Sequence, residues 1–495
     1  MANAPSAAPE RTVLGHPAGL FVLFFAELWE RFCYYGMRAL LALYVVDQFR
    51  VPQDEASVSY GAFTALVYAT GVFGGWVADR ILGYRRSIVL GGLLMAAGEF
   101  CLLVPSQPMF LLGLATMVVG NGLFKPNIST LVGKLYPQGD PRRDGGFTIF
   151  YMGINIGAFL APIACQWVSA QFGEGGRPDY RYGFLAAGLG MLLGIVVFGA
   201  GRRHLLGHGL APAGREGAGT VLKVLLGCLA CVPLAYWLLS KQEIVGYSLV
   251  GLAIGLTLFL LYIAFQNPTD VRHRMFALIM LLGCNTVFFA SFEQAGNSLN
   301  FFARNHIDDL RLGGWTMPFE WFQSVNAIFI VALGPVFAGL WVWLDRRGLN
   351  PSIPLKFGLG VVQVGLGFLL LLAGIAGADD AGQVSWTFLT GLYLIHTTGE
   401  LCISPVGLSM VTKLAPPQIT GMVMGAWFVS ISLANYVAGL FSKIAGQASV
   451  GEAGGAAALG GYVEAFTPIV WMTLGVGGVL VLASPLVNRL MHGVK

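Results

Sequence analysis

Apolar stretches of about 20 residues, the length that a helix needs to cross the hydrocarbon core of a bilayer, recur along the whole chain. Ser87 to Pro105, Tyr182 to Gly201 and Ile469 to Val487 each carry at most one charged residue. A soluble domain has about 25% charged residues, whereas this chain has 11% charged and 56% hydrophobic residues. The sequence therefore predicts an all-α integral membrane protein.

Turn residues between the apolar stretches divide the chain into fourteen predicted membrane helices. The predicted helices lie at 18–48, 56–78, 86–105, 108–135, 145–171, 181–200, 219–239, 243–265, 274–303, 318–344, 353–377, 384–413, 420–446 and 464–490. With both termini in the cytoplasm, nineteen Lys and Arg residues fall in or near cytoplasmic loops and seven on the opposite side, as the positive-inside rule requires. We expect a multi-pass protein of the cell (inner) membrane, with residues 1–17 as a cytoplasmic tail that does not look like a signal peptide.

The loop between the second and third predicted helices resembles the signature loop of the major facilitator superfamily; it reads Gly75-Trp-Val-Ala-Asp79-Arg80-Ile-Leu-Gly83-Tyr-Arg85-Arg86. A degenerate copy, Trp341 to Gly348, occupies the equivalent place in the second half if helices 219–239 and 243–265 form an inserted hairpin. The alternative is that any cytoplasmic turn collects arginines. The resemblance implies two six-helix bundles plus the hairpin, with the substrate site at the membrane midplane. The predicted divisions are a tail at 1–17, an N-terminal bundle at 18–200, a linker and hairpin at 201–272, and a C-terminal bundle at 273–495.

One face of the first predicted helix is polar. It carries Glu27, Glu30, Arg31, Tyr34, Tyr35 and Arg38, which share a stripe at about 100° per residue. An ionisable group in hydrocarbon costs at least about 2.5 kcal/mol, so the stripe should face a polar cavity, where Arg31 can pair with Glu27 one turn away. The alternative is an ion cluster that packs helices, although packing seams favour small residues.

Proton coupling is the use that physical chemistry suggests for such a stripe. A buried carboxylate binds a proton when its cationic partner is taken away and releases it when the pair re-forms. Glu27, Glu30 and Arg31 are therefore predicted to couple protons.

The other charges deep within predicted helices separate by sign. Arg31, Arg38 and Lys125 are the deep basic residues, whereas Glu293 and Glu400 are the deep acids of the second half. A zwitterionic peptide needs a cation for its carboxylate and an anion for its ammonium group. These residues are therefore predicted to lie in the substrate site, and Pro126 after Lys125 breaks the helix ladder, as suits a bending gate.

Four uncharged residues complete the predicted site. Asn155 and Asn326 could bind the peptide amide and termini, although asparagines in membrane helices equally often hold helices together. Tyr68 and Trp427 would form an apolar wall for variable side chains.

Two polar residues in predicted helices have no assigned role. Glu99 and His396 are interpreted as satisfied buried polar groups.

The string Glu27-Leu-Trp-Glu30-Arg31-Phe-Cys-Tyr34-Tyr35-Gly36 is similar to the E-x-x-E-R-F-x-Y-Y motif of the proton-dependent oligopeptide transporter family. The resemblance continues in several further segments and covers residues from about 15 to 440, and the inserted helix pair resembles the prokaryotic branch. These segments are Phe147 to Gly157, Phe292 to Gln294, Trp321 to Asn326 and Gly399 to Pro405.

The resemblance implies a proton-coupled symporter that imports di- and tripeptides by alternating access, with no enzymatic activity and no cofactor besides the coupling proton. Its expected partners are small peptides, protons and the lipid bilayer, but not nucleic acid. It also implies an outer gate of Arg38 with Glu293 and an inner gate of Lys125 with Glu400. The residues implied to line the peptide site are Tyr34, Tyr35, Lys125, Asn155, Asn326, Glu400 and Trp427.

One departure from the family concerns the histidine of animal members, because residues 56–78 contain none.

Two other functions stay open on the residues alone. A carrier of another small solute, such as nitrate or a drug, could use the same scaffold, although a monovalent anion would leave Glu400 without a ligand. An intramembrane peptidase is disfavoured because the chain has no H-E-x-x-H or G-x-S-x-G motif.

Overall fold

The computed structural model describes residues 11–137, 140, 142–312, 315–416, 419–449 and 456–494. Within these residues the chain forms fourteen helical segments, each within five residues of a predicted one at both ends. They are α1 Ala18–Phe49, α2 Gln53–Leu82, α3 Tyr84–Cys101, α4 Gln107–Lys134, α5 Arg143–Gln171, α6 Tyr180–Gly201, α7 Ala218–Ser240, α8 Gln242–Gln266, α9 Thr269–His306, α10 Phe319–Arg346, α11 Ile353–Ala376, α12 Trp386–Leu414, α13 Thr420–Ser449 and α14 Gly460–Leu490. Two short hairpins pair Thr12–Val13 with His16–Pro17 and Arg311–Leu312 with Trp315–Thr316.

Eleven of the helices in the described residues are long and apolar enough to cross a membrane. α1 falls below that limit because its charged stripe lowers the mean hydropathy, although the helix runs unbroken for 32 residues.

Two of the helices are interrupted where their residues leave the regular α-helical ladder. α2 runs from Gln53 to Ala69, resumes at Gly71, and ends in a π-helical turn at Ala78–Leu82. α9 passes through a 3₁₀ turn at Glu293–Gly296 before it resumes at Ser298. Such irregular turns in membrane helices expose backbone groups that neighbouring side chains must satisfy.

The contacts divide the chain into two compact units. The first unit comprises Met1–Met37 and Thr70–Trp237, and the second comprises Arg38–Ala69 and Leu238–Lys495. Buried aromatic and aliphatic side chains fill each core, for example Phe124 and Met191 in the first unit and Phe288, Phe368 and Phe466 in the second. The predicted bundle boundaries at 200 and 273 stay a prediction.

The two helices of the inserted hairpin belong to different units. In α7, Cys228 packs in a cluster with Leu82 and Leu90 of the first unit. In α8, Gly246 lies against the ring of Tyr436 in the second unit, where an added Cβ would overlap the ring.

A close backbone approach joins α2 to α4 within the first unit. A Cβ on Gly74 would overlap the backbone of Gly122, so the two helices meet without side chains between them. Asn127 Nδ2 donates to the Gly74 carbonyl at 3.1 Å, and Thr70 Oγ1 donates to the Val118 carbonyl at 3.0 Å. The Asn127 bond gives the Gly74 carbonyl a partner, and the Thr70 bond attaches the interruption of α2 to α4.

Candidate functional site

The acidic residues of the α1 stripe lie in a buried ion cluster of the first unit. Glu27 and Glu30 are both 0% exposed. Arg31 forms a two-point ion pair with Glu30, with the second bond from Nη2 to Oε1 at 2.5 Å. Arg31 Nε also lies 3.5 Å from Glu27 Oε1, and Lys125 of α4 pairs with that same oxygen. Two carboxylates are thus matched by two cations, and the expected Arg31–Glu27 contact is the longer of the two that Arg31 makes.

The two carboxylates differ in how fully they are bonded. Glu30 Oε1 accepts a further hydrogen bond from Asn121 Nδ2 at 3.1 Å. Glu27 Oε2 is buried and has no hydrogen-bond partner among the described residues. Glu27 depends on Lys125, whose side chain is 30% exposed and so is the accessible cation of the cluster. A ligand that draws Lys125 away would leave Glu27 with only the longer Arg31 contact.

Three other predicted site residues belong to the first unit, and two of them, Tyr34 and Tyr35, lie beside Arg31. The Arg31 guanidinium lies 5.2 Å from the ring centre of Tyr34 and 5.8 Å from that of Tyr35, within the range of cation–π attraction. Asn155 of α5 is buried, and its Nδ2 donates to the carbonyl of Tyr151 one turn earlier at 2.9 Å. Its predicted role in peptide binding stays a prediction.

A second buried ion pair lies in the second unit. Arg38, near the middle of α1, donates to the Glu293 carboxylate of α9 and to the hydroxyl of Tyr60 in α2. All three residues are at most 7% exposed. Gly296 leaves room for this arrangement, because a Cβ there would overlap the Tyr60 hydroxyl and lie 2.8 Å from Arg38 Nε.

Side chains hold the 3₁₀ turn that presents Glu293. Gln294 Nε2 donates to the carbonyls of Ala290 and Ala438 at 3.0 and 3.1 Å. Its Oε1 accepts from the hydroxyls of Ser298 and Ser442 at 2.6 and 2.8 Å. The turn is thereby fixed to α13, which gives Glu293 a defined position beside Arg38.

The remaining acid of the site, Glu400 of α12, belongs to the same unit and is partly exposed. Asn326 Nδ2 of α10 donates to Glu400 Oε2 at 3.1 Å and to Thr397 Oγ1 at 3.0 Å. Trp427 of α13 is 3% exposed and lies against Gly407 of α12, where an added Cβ would overlap its ring. The structure thus brings Asn326 and Glu400 together, a contact that the sequence had not indicated, and their roles in peptide binding stay predictions.

Tyr68, the remaining residue of the predicted wall, is half-buried against the apolar core of the second unit.

One of the two predicted gate pairs is formed. Arg38 and Glu293 make an ion pair, whereas Lys125 pairs with Glu27 and Glu400 accepts from Asn326. Lys125 with Glu400 stays a prediction, as do the gating roles of both pairs.

The two residues without an assigned role differ. His396 Nε2 donates to the Val364 carbonyl at 3.1 Å, as a satisfied buried group should. Glu99 accepts one long hydrogen bond, from Cys33 Sγ at 3.4 Å, and its Oε2 has no partner among the described residues. The expectation that Glu99 is satisfied is therefore wrong.

Sequence reasoning missed Asn121, Tyr60, Gln294 and Thr397. Asn121 lies one helical turn before Lys125, so the helical period carried a signal for it. Gln294 was noticed only as part of a motif. Thr397 lies one helical turn before Glu400, so the same period carried a signal for it, whereas the spacing of residues around Tyr60 carries none.

The comparisons with known proteins agree on one family. A sequence model described as the POT family matches residues 85–456. "Uncharacterized transporter YclF" of Bacillus subtilis (strain 168) is 35% identical, with 98% of this chain and 97% of that protein covered. "Dipeptide and tripeptide permease B" of Salmonella typhimurium is also 35% identical, with 97% of each chain covered. A crystal structure of the peptide transporter POT in complex with sulfate superposes with a TM-score of 0.82 at 35% identity, covering 99% of this chain and 98% of that one.

These likenesses confirm the predicted fold class, an all-α membrane transporter of the major facilitator type, and they exclude the intramembrane peptidase. Because the family match covers most of the chain and the relatives align over nearly all of it, the chain belongs to the POT family of proton-dependent oligopeptide transporters.

Proposed function

We propose that this protein is a proton-coupled symporter that imports di- and tripeptides by alternating access. It spans the cell (inner) membrane with both termini in the cytoplasm, and its partners are small peptides, protons and the lipid bilayer. The observation that carries the proposal is the buried cluster of Glu27, Glu30, Arg31 and Lys125. The similarity to dipeptide and tripeptide permeases supports the substrate class.

The peptide carboxylate binds at the cationic side of the cluster. Lys125 is its most exposed cation, so an incoming carboxylate competes with Glu27 for the ammonium group. A buried carboxylate that loses its cation is strongly destabilised, and binding a proton removes that penalty. Glu27 Oε2, to which no group in the described residues donates a hydrogen bond, offers a place for the proton. Peptide and proton therefore bind together.

The peptide ammonium binds at Glu400. Asn326 orients this carboxylate through the bond to Oε2, and partial exposure leaves it accessible. Tyr34, Tyr35 and Asn155 are the further residues proposed to bind the peptide, with Tyr68 and Trp427 as the apolar wall for its side chains.

Exchange of partners links binding to the inner gate. In the described conformation Lys125 is held by Glu27. For Lys125 to reach Glu400 it must leave Glu27, which then requires a proton. Closure of the inner gate and protonation of the cluster are thereby one event, whereas Arg38 with Glu293 closes the outer gate.

Transport in liposomes tests the proposal. With one proton per peptide, a potential of about 100 mV and a gradient of one pH unit supply about 3.7 kcal/mol, enough for several hundredfold accumulation of di-alanine. Glu30→Gln leaves Arg31 without its main partner and able to neutralise Glu27 when Lys125 leaves, so no proton is needed there. The variant should therefore lose this accumulation but keep exchange of labelled for unlabelled di-alanine. The control is Glu243→Gln, which neutralises an exposed acid of α8 and should accumulate peptide like the wild type.

Accumulation by Glu30→Gln would show that the cluster does not couple protons. Exchange of nitrate in place of di-alanine by the wild type would show that the substrate class is wrong.

A further inference from the structure

Glu99 is a buried acid that the proposed transport cycle does not use. It lies near the end of α3 and is 0% exposed. Its Oε1 accepts a hydrogen bond from Cys33 Sγ of α1, and no protein group reaches Oε2 within the described residues. An ionised carboxylate normally has several hydrogen bonds or a nearby cation, and Glu99 has one weak thiol donor.

Among the residues that the structure describes, the helices packed around Glu99 show no compensating charge. A Cβ on Gly188 of α6 would lie 3.1 Å from the Glu99 Cβ, so that helix approaches with no side chain. α4 meets α3 next to Glu99 through Gly113 and Met117. Within the described part of the chain, the titratable groups that face Glu99 are Cys33 of α1 and Cys165 of α5, and neither can supply positive charge.

The nearby ion cluster is already balanced without Glu99. Arg31 and Lys125 neutralise Glu27 and Glu30, and the Arg31 guanidinium is bound at two points to Glu30. No cation of the cluster is left over for a third acid. An ionised Glu99 would therefore be an uncompensated buried charge, whereas the neutral acid leaves only weakly satisfied dipoles.

We propose that Glu99 is a second proton-binding site of this protein, occupied in the described conformation. The proton lies on Oε2, and Oε1 is the carbonyl oxygen that accepts from the Cys33 thiol. Cys33 follows Glu30 by three residues on α1, so this site lies one helical turn from the cluster. Its proton is additional to the one that the cluster carries, and the inference does not depend on the transported substrate.

Infrared spectroscopy of the full-length protein in liposomes tests this assignment, because a protonated carboxyl group has a carbonyl band separate from that of carboxylates. We expect such a band at pH 7 in the wild type. Glu99→Gln should remove it, since Gln has the shape of the neutral acid without its carbonyl band. Di-alanine exchange by Glu99→Gln should stay within about twofold of the wild type, which shows that the variant is folded.

A second variant tests the hydrogen bond and does not require the first to fold. Cys33→Ala removes the donor to Oε1, so the band should remain but move to higher wavenumber. No band in the wild type at pH 7, a band unchanged in Glu99→Gln, or a band that Cys33→Ala leaves in place would overturn the assignment.

Discussion

Two ion pairs connect α1 to α9, and they differ in burial. Arg38 with Glu293 is buried, whereas Asp47 with Arg304, joined at 2.8 Å, has side chains that are 38% and 32% exposed. Glu293→Gln breaks the buried pair and so tests its role, and Asp47→Asn breaks the exposed pair between the same two helices as a matched control. If Arg38 and Glu293 form the outer gate, the conformation described here depends on the buried pair.

The expected effects are far apart in size. Removing one partner from a buried ion pair costs about 3–5 kcal/mol, and a shift of about 1.4 kcal/mol is tenfold in a population ratio. The pair exists only when the gate is closed, so nearly all of this cost destabilises the closed state. In Glu293→Gln the population of the closed state should therefore drop more than a hundredfold relative to that of the open state. An exposed pair contributes about 0–1 kcal/mol, so Asp47→Asn should shift the ratio by less than about fivefold.

Distances between spin labels measure this ratio. The exposed residues Glu55, on the segment that follows α1, and Asp309, just after α9, can each be replaced by Cys and labelled. Cys231, the exposed native cysteine among those described, is first replaced by Ser. Glu293→Gln should add a longer distance that dominates the distribution. Identical distributions for wild type, Glu293→Gln and Asp47→Asn would refute the gating role of the pair.

The remaining predictions address the same site and its scaffold. Tyr60→Phe removes one hydrogen bond from Arg38, worth about 1.5–3 kcal/mol for a charged group. The fraction of molecules with the longer spin-label distance should therefore rise less than in Glu293→Gln, and an equal or larger rise would contradict this order. Gly74→Ala should lower the unfolding temperature measured by scanning fluorimetry, because the added Cβ would overlap the Gly122 backbone. In the control, Gly75→Ala, the added Cβ faces open space, so the unfolding temperature should stay unchanged. Glu400→Gln should weaken binding of free dipeptides by about tenfold to a hundredfold in calorimetry but change binding of acetylated dipeptides little, and equal losses would show that Glu400 does not hold the ammonium.

The helices and the charged stripe could be predicted from sequence because both are properties of a single segment. Hydropathy and turn residues locate every helix to within five residues. The spacing of Glu27, Glu30 and Arg31 determines that they share a face, whatever else the chain does. The pairing of Arg38 with Glu293, which are more than 250 residues apart in the sequence, was predicted from the family resemblance.

The hydrogen-bond partners could not be predicted in the same way, because they depend on which faces of distant helices meet. Arg31 was expected to pair with Glu27 and does so at 3.5 Å. Its main partner, however, is Glu30, a neighbour that helical spacing normally turns away. Tyr60 gave no sign that it would bind Arg38, and Glu99 could not be recognised as unsatisfied until its neighbours were known.

The assignment of Arg38–Ala69 to the second unit has a consequence for biosynthesis. The ribosome completes this segment long before it makes α9 and α13. Asn297 of α9 and Ser432 of α13 donate hydrogen bonds to carbonyls of the segment, and Gln294 joins α9 to α13. Domains generally fold as units during synthesis, but this unit lacks most of its residues until the second half of the chain has been made. A chain truncated before α9 would therefore leave Arg38 in the membrane without Glu293, as a ready target for quality-control proteases.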